Sequence, residues 1–425
     1  MSASVWKKSF FSQIGEVIAG GTPSTKISEY WNGDIPFVTP NDLSEQKSPF
    51  IHQTERNLTT LGLNKSSANL LPKNTLIIST RAPIGYMALS NNECVTNQGC
   101  KSIVFDSDQC PLFFYYNAHN YIQKMKSLGS GTTFAEISKS DLEKIVITYP
   151  ESFVVQQRMA DILSTCDTVI QNTQKTINKY KAIKQGMMQD LFTRGLTKDG
   201  KLRPSYKEAP ELYKESELGM IPKEWEVDCI ENLTAYVDYR GKTPIKIESG
   251  IQLVTAKNIK DGFIDYNISK EFIAREDYNS VMSRGLPKLG DVLFTTEAPV
   301  GNVAQINDEN VALAQRVIKF RGKETSMDNT FLLYSFLSEY FRRILLSEST
   351  GSTAQGIKGS RLHKLLLKYP SIPEQKKINE KLSSIDSTIQ KEEAILEKYK
   401  NIKTGLMSRL LTPPEDAEII DETGE

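Results

Sequence analysis

The side chains best suited to catalysis are few and scattered. The three histidines, His52, His119 and His363, stand apart from one another in sequence, and only His363 has several basic neighbours. A nucleophilic triad would need one of them beside an activated Ser or Cys, and the chain holds no GxSxG elbow. GKT at 241–243 lacks the glycine that a phosphate loop requires five residues earlier, and GxGxxG and HExxH motifs are absent. There is no [DNS]PP[YFW] loop of the kind an amino-methyltransferase uses to hold a flipped base. Nuclease-like carboxylate and ExK patterns are too loose to count, and KEW at 223–225 carries no weight. The five cysteines (94, 100, 110, 166 and 229) form no CxxC pair and no zinc spacing. They read as free thiols in a reducing compartment. The expectation is therefore a chain with no catalytic centre, no metal and no cofactor of its own.

The elements that would position any other chemistry come from the organisation of the chain. At 425 residues with 39% apolar content, it is long enough for two or three domains, each with its own core. No run of 18 apolar residues offers a membrane span. The opening MSASVWKKSFFSQIGE has no apolar signal core, so the expected setting is cytoplasmic. The 52 basic and 52 acidic residues cancel, which at first argues against nucleic acid. Six of the acids, however, lie after Thr412 in PPEDAEIIDETGE; without them 52 basic face 46 acidic residues, a body charge of +6. That suits limited phosphate contact, or contact shared with a partner. An ordinary neutral protein with an acidic tail fits this charge equally well.

An internal repeat settles the order of parts. Residues 167–191 (DTVIQNTQKTINKYKAIKQGMMQDL) and 386–410 (DSTIQKEEAILEKYKNIKTGLMSRL) are identical at 11 of 25 positions with an offset of 219. Trp6 pairs with Trp225 at the same offset. Islands inside the halves match as well: VTPNDL (38–43) with VTAKNI (254–259), LPK (71–73) with LPK (286–288), TRAPIG (80–85) with TEAPVG (296–301), and SGTT (130–133) with TGST (350–353).

Met159, Leu163, Cys166, Ile170, Thr173, Ile177, Tyr180, Lys184, Met187 and Leu191 follow alternating steps of four and three. Ile378, Leu382, Ile385, Ile389, Glu392, Leu396, Tyr399, Lys403, Leu406 and Leu410 do the same. That heptad spacing predicts two long helices packed on each other as a coiled coil. The polar seam positions (Thr173, Lys184, Glu392, Lys403) and the apolar residues beside the seam (Ile162, Val169, Ile183, Ile402) point to a second surface for a partner protein. The alternative is packing only within this chain. Short β-rich runs at 76–80, 101–105, 292–296 and 316–320 alternate with helical patterns at 111–128 and 329–347.

The expected fold class is α/β (mixed α+β), with two pseudo-twofold-related globular domains, each followed by a long helix. The boundaries read as 1–150 and 223–370 for the globular domains, 151–195 and 371–412 for the helices, 196–222 for a connector, and 413–425 for an acidic disordered tail.

This combination resembles the specificity subunits of type I restriction–modification systems. ESELGMIPKEWEV (215–227) resembles the stretch opening the second recognition domain of that family. The helix starts carrying Gln156, Gln157 and Ala160, and Glu374, Gln375 and Ile378, resemble its spacer helices, with PxxEQ intact only in the second copy. The resemblance spans essentially the whole chain. It implies a non-catalytic subunit that reads a bipartite, asymmetric sequence in double-stranded DNA. The implied partners are two modification (methyltransferase) subunits and, in the full complex, two ATP-dependent restriction subunits. S-adenosylmethionine, ATP and Mg²⁺ would be used by those partners. Two similar readers on opposite strands must be inverted relative to each other, which a tandem repeat on antiparallel helices provides, and the helices would then set half-site spacing.

Under that resemblance, loop residues after strands, with amide or guanidinium ends, are the candidates for base edges; those named are Asn41, Arg81, Asn97 and Gln98 in the first half, and Lys257, Asn258, Gln315 and Arg316 in the second. Thr132, Thr133, Ser352 and Thr353 sit in Gly-rich loops whose amides could hold phosphates. The competing reading of each is an ordinary turn or a hydrogen-bonded strand end. Two other functions stay open: a stand-alone methyltransferase or nuclease with fused recognition domains, and a duplicated protein-interaction scaffold.

Overall fold

A computed structural model describes residues 5–81, 83–129, 136–239, 244–349 and 356–424. The short apolar runs become interior strands. All four residues of Leu76–Ser79 and of Val292–Thr295 are buried, as a strand covered on both faces requires.

The chain divides into two compact units, Met1–Lys175 with Glu393–Glu425, and Thr176–Glu392. In the first, a five-stranded sheet runs in the order Gly15–Ala19, Cys100–Phe105, Leu76–Ser79, Met87–Ser90, Phe50–Ile51. In the second, four strands take the corresponding order: Thr234–Asp238, Val317–Gly322, Val292–Thr295, Val303–Gln305. Each unit adds a smaller sheet whose middle strand pairs parallel with the short strand that opens the next loop. Phe37 faces Val95 in the first unit, and Leu253 faces Ala312 in the second.

Two helices of 41 and 39 residues, Phe153–Thr193 and Ile372–Leu410, follow the sheets. Domain limits drawn along the chain assign each helix to one place; the compact units instead share both. The core of the first unit takes in Ala160 and Leu163 from one helix, with Leu406 and Leu410 from the other. The core of the second takes in Leu191 and Phe192 with Ile378 and Leu382. The ends of each stripe are thus covered by a globular core.

The predicted seam residues are all at least partly buried. Within the second unit, Lys184 meets Asp386, and the Leu196 N–H meets Glu374 at 2.8 Å. As one partner advances twelve positions the other retreats twelve, which is antiparallel register. Two polar seam positions expected on a partner-facing surface are used internally instead: Lys184 pairs with Asp386 and Lys403 with Asp167, each at 2.6 Å. A lysine at such a site is half-desolvated, and a carboxylate placed opposite offsets that cost. Each helix start is tied to its own unit by a fully buried glutamine. Gln156 donates to the Pro150 carbonyl and accepts from Cys110 N–H; Gln375 donates to the Pro370 carbonyl and accepts from Asp328 N–H.

Both predicted shorter helices are broken. His119 places Nδ1 2.8 Å from the Tyr115 carbonyl, taking an acceptor the next main-chain turn would need, and a 3₁₀ turn follows. Ser338 is extended (ψ 147°) and its hydroxyl accepts from Phe341 N–H, ending one helix and capping the next. Two further segments differ from expectation. Within the 196–222 connector, Tyr213–Ser216 and Gly219–Pro222 form a hairpin. The tail expected to be disordered forms a strand, Glu418–Asp421, parallel to Val5–Phe10. Its acids have local partners there: Lys8 meets Asp421 at 2.6 Å and Lys7 meets Glu422 at 2.8 Å.

Candidate nucleic-acid interface

In the first unit, Thr39 begins a turn closed by Asp42, whose carboxylate accepts the Thr39 N–H at 2.8 Å and the Thr39 hydroxyl at 2.5 Å. In the second, the amide oxygen of Asn258 accepts the Thr255 N–H at 3.0 Å and the Thr255 hydroxyl at 2.8 Å. The matching VTPNDL and VTAKNI islands are therefore one turn built twice. Asn258 spends its NH₂ on the Asp265 and Ser269 carbonyls at 2.9 and 3.0 Å and is fully buried. Its amide has no free edge for a base, so this base-edge candidate is corrected to a structural residue. The residue just before each acceptor, Asn41 or Lys257, is exposed.

A second loop lies beside this turn in each unit. In the first, Asn97 N–H donates to the Val38 carbonyl at 3.1 Å, and Thr80 N–H donates to Gly99 at 2.8 Å. In the second, Ala314 N–H donates to Val254 at 3.0 Å, and Thr296 N–H donates to Arg316 at 3.0 Å. These bonds put Gln98 and Gln315 at equivalent points, and both are exposed. Asn97 is partly buried and turns its Oδ1 back to Gly99 N–H at 3.0 Å, so its role is to shape the loop.

Pro40 and Asn97 crowd the space beside Gly99, which brings the two loops of the first unit into contact. In the second unit the same loops line an open pocket of about 300 Å³, with Lys246, Thr255, Lys257, Glu271, Ala298, Gln315 and Arg316 on its wall. Three of the four second-half candidates thus share one concavity. Arg316 reaches it from a left-handed backbone (φ 75°), a conformation that costs a non-glycine residue energy.

The cations around these loops differ in what already occupies them. Arg81 Nε lies 2.9 Å from Glu136, which also faces Lys101 at 3.4 Å. Burial alone would raise the Glu136 carboxyl; the Arg81 hydrogen bond and the two positive charges outweigh it and hold the carboxyl below its ordinary value. At the Arg81 position of the TRAPIG island the second unit has Glu297, which pairs with Arg316 at 2.9 Å. The turn residue thus changes sign and takes its partner from a different place: Gly356 bridges Glu297 where Glu136 bridges Arg81, and Arg316 stands where the first unit has Gly99. Lys246 meets Glu271 at 2.7 Å. Lys257 has no ion pair among the described residues. Thr132, Thr133, Ser352 and Thr353 lie outside the described residues.

Sequence reasoning missed Thr22, whose hydroxyl donates to the Gln98 amide oxygen. The signal was present: GGTP (20–23) has a counterpart in GKTP (241–244), of which Pro244 is described and lines the pocket. Glu136 and Glu271 carried no sequence signal, because each is defined only by the cation packed against it. Of the apolar residues proposed for a partner surface, Ile162, Ile183 and Ile402 are 39%, 41% and 41% exposed, and Val169 is partly buried.

Residues 4–182 and 222–401 each match a family described as the type I restriction modification DNA specificity domain. The chain is 33% identical over 247 residues to the specificity subunit of the type I restriction enzyme MjaIX of Methanocaldococcus jannaschii, covering 58% of this chain and 52%, about half, of that relative. With the MjaVIII specificity subunit of the same organism it is 26% identical over 418 residues, covering 96% and 92%. Among solved structures, the S subunit of a type I restriction–modification system from M. genitalium shares the fold, with a TM-score of 0.60 at 14% identity over 97% of this chain and 98% of that one.

Proposed function

The chain belongs to the type I restriction modification DNA specificity family, and on that premise we propose that it reads a bipartite, asymmetric target in double-stranded DNA for a type I restriction–modification complex. Each compact unit reads one half-site. The chain docks two modification (methyltransferase) subunits and, in the full complex, two restriction subunits; S-adenosylmethionine, ATP and Mg²⁺ serve those partners. It works in the cytoplasm, and no helix among the described residues is long and apolar enough to cross a membrane.

The observation that carries this reading is the twice-built loop pair. Thr39–Asp42 with Gln98, and Thr255–Asn258 with Gln315, have the same main-chain anchoring but present different side chains beside it. A constant scaffold with variable donors is what two readers of unlike sequence need. The near-neutral charge agrees with phosphate contacts shared with partner subunits. Helices of 41 and 39 residues, about 60 Å at 1.5 Å per residue, suit a spacer between half-sites. Exposed Ile183 and Ile402 occupy equivalent places in the helical repeat and suit two like docking sites.

The test is co-expression of the full chain with its modification subunits in a host lacking adenine methylation, with the methylated motif read from the genome. A two-part motif with a fixed gap is expected. Methylation without sequence preference, or none in an assembled complex, would overturn the proposal.

A further inference from the structure

The two loop pairs are equivalent in main chain but not in chemistry, and the difference falls on one position. Asn41 and Lys257 each precede the side chain that closes the threonine turn, Asp42 or Asn258, so their backbones are held by the same hydrogen bonds. Both are exposed, whereas the closing residues are buried. Gln98 and Gln315, on the neighbouring loop, are identical in type and exposed in both units. Each unit therefore presents one constant amide and one variable group.

The variable group has distinct preferences. An asparagine amide matches adenine, whose N7 accepts and whose N6 donates; a lysine ammonium only donates and matches guanine O6 and N7. A glutamine amide matches adenine in the same way as asparagine. Lys257 is available for this, because the other cations of its pocket already face carboxylates, Lys246 with Glu271 and Arg316 with Glu297. It also lines the concave wall with Thr255, Ala256, Ala298 and Ala314, a recess for a base edge more than a rim for phosphate. Asparagine in the matching place of the first unit carries no charge, so a shared ion pair with phosphate does not account for the two positions.

We propose that positions 41 and 257 are paired specificity-determining positions: Asn41 selects adenine and Lys257 selects guanine at corresponding base pairs of the two half-sites, while Gln98 and Gln315 read adenine in both. This rests on the DNA-reading function proposed above.

The test uses the full chain with its modification subunits in the methylation-free host. If the wild-type chain yields no bipartite motif, the functional proposal fails and the variants are not its measure. Given a wild-type motif, Lys257→Asn should convert guanine to adenine at one base pair of one half-site. Asn41→Lys should convert adenine to guanine at one base pair of the other. In each case the preference should shift by about tenfold or more. Lys257→Arg should keep guanine, since its guanidinium also matches O6 and N7. Thermal melting checks folding, and each unit tolerates at this turn the residue being introduced into the other. An unchanged motif in Lys257→Asn and Asn41→Lys, or changes in both half-sites from one substitution, would overturn the proposal. So would uniformly weaker binding with a reduced salt slope, the mark of a lost phosphate contact.

Discussion

Asp167 and Lys403 lie on the two different long helices, 236 positions apart in sequence, yet their charged atoms are 2.6 Å apart in the first unit. The Tyr116 hydroxyl donates to the same carboxylate at 2.7 Å. The second unit repeats the arrangement with Asp386, Lys184 and the Tyr334 hydroxyl, the last at 2.8 Å. In both, burial above all, with the neighbouring aspartate adding to it, keeps the tyrosine protonated well above its ordinary range; at Tyr334 this outweighs a Ser383 hydrogen bond that acts the other way. Asp167→Ala would leave a hydroxyl and an ammonium without their acceptor and should cost about 2 kcal/mol in denaturant unfolding. A Asp167/Lys403 double-mutant cycle should return coupling of about 1 kcal/mol; strict additivity would show that the pair does not join the helices.

Thr22 fixes which way the Gln98 amide points. Thr22→Val keeps the shape and removes the donor, so Gln98 should lose its preference for one amide orientation. The expected result is degenerate methylation at one base pair of one half-site, with the other half-site and the salt slope unchanged. A motif identical to wild type would show that Gln98 is not held for reading.

Lys368 is buried with its Nζ 4.6 Å from the centre of the Tyr340 ring. Burial, with a smaller contribution from the Arg343 charge, pushes its pKa from 10.5 down to about 8. Between those values the unfolded chain binds more protons than the folded one, so stability should rise as pH goes from about 8 to 10.5. Below pH 8 the full cost of a buried charge is present, roughly 3 kcal/mol. Lys368→Met should flatten this rise and raise the denaturant midpoint at pH 7. A variant less stable than wild type at pH 7 would mean that the ring contact outweighs the desolvation.

Asp291 is fully buried between Arg321, at 2.6 and 2.7 Å, and Lys319, at 3.4 Å, and it also accepts the Lys288 N–H. Burial lowers the Lys319 pKa despite this partner. Asp291→Ala should therefore destabilise the second unit by about 3–5 kcal/mol, because it strands a buried ammonium. Adding Lys319→Met should recover part of the loss, and calorimetry on both variants would check the order.

Ending the chain at Thr412 removes the strand Glu418–Asp421 and its bonds to Val5–Phe10. Amides along residues 5–8 should exchange faster with deuterium in the shortened chain, while the second unit keeps its protection. Equal exchange in both chains would show that the tail contributes nothing to the sheet.

Much of this protein could be read in the residues themselves. The offset of 219, the heptad seams and the β-rich runs at 76–80 and 292–296 rest on local periodicity and propensity, which any segment carries with it. Those signals settled the tandem repeat, the two long helices and the mixed α/β class. They could not separate Asn258 from Lys257, its neighbour in an equally polar stretch. Packing did that, by burying one amide against the Asp265 and Ser269 carbonyls and leaving the ammonium exposed. The same holds for Arg81 facing Glu136 across 55 positions, for the acidic tail paired as a strand, and for the sharing of each long helix between two cores. These outcomes depend on which distant groups meet when the chain closes on itself. That is a property of the assembled packing, and no stretch of sequence carries it alone.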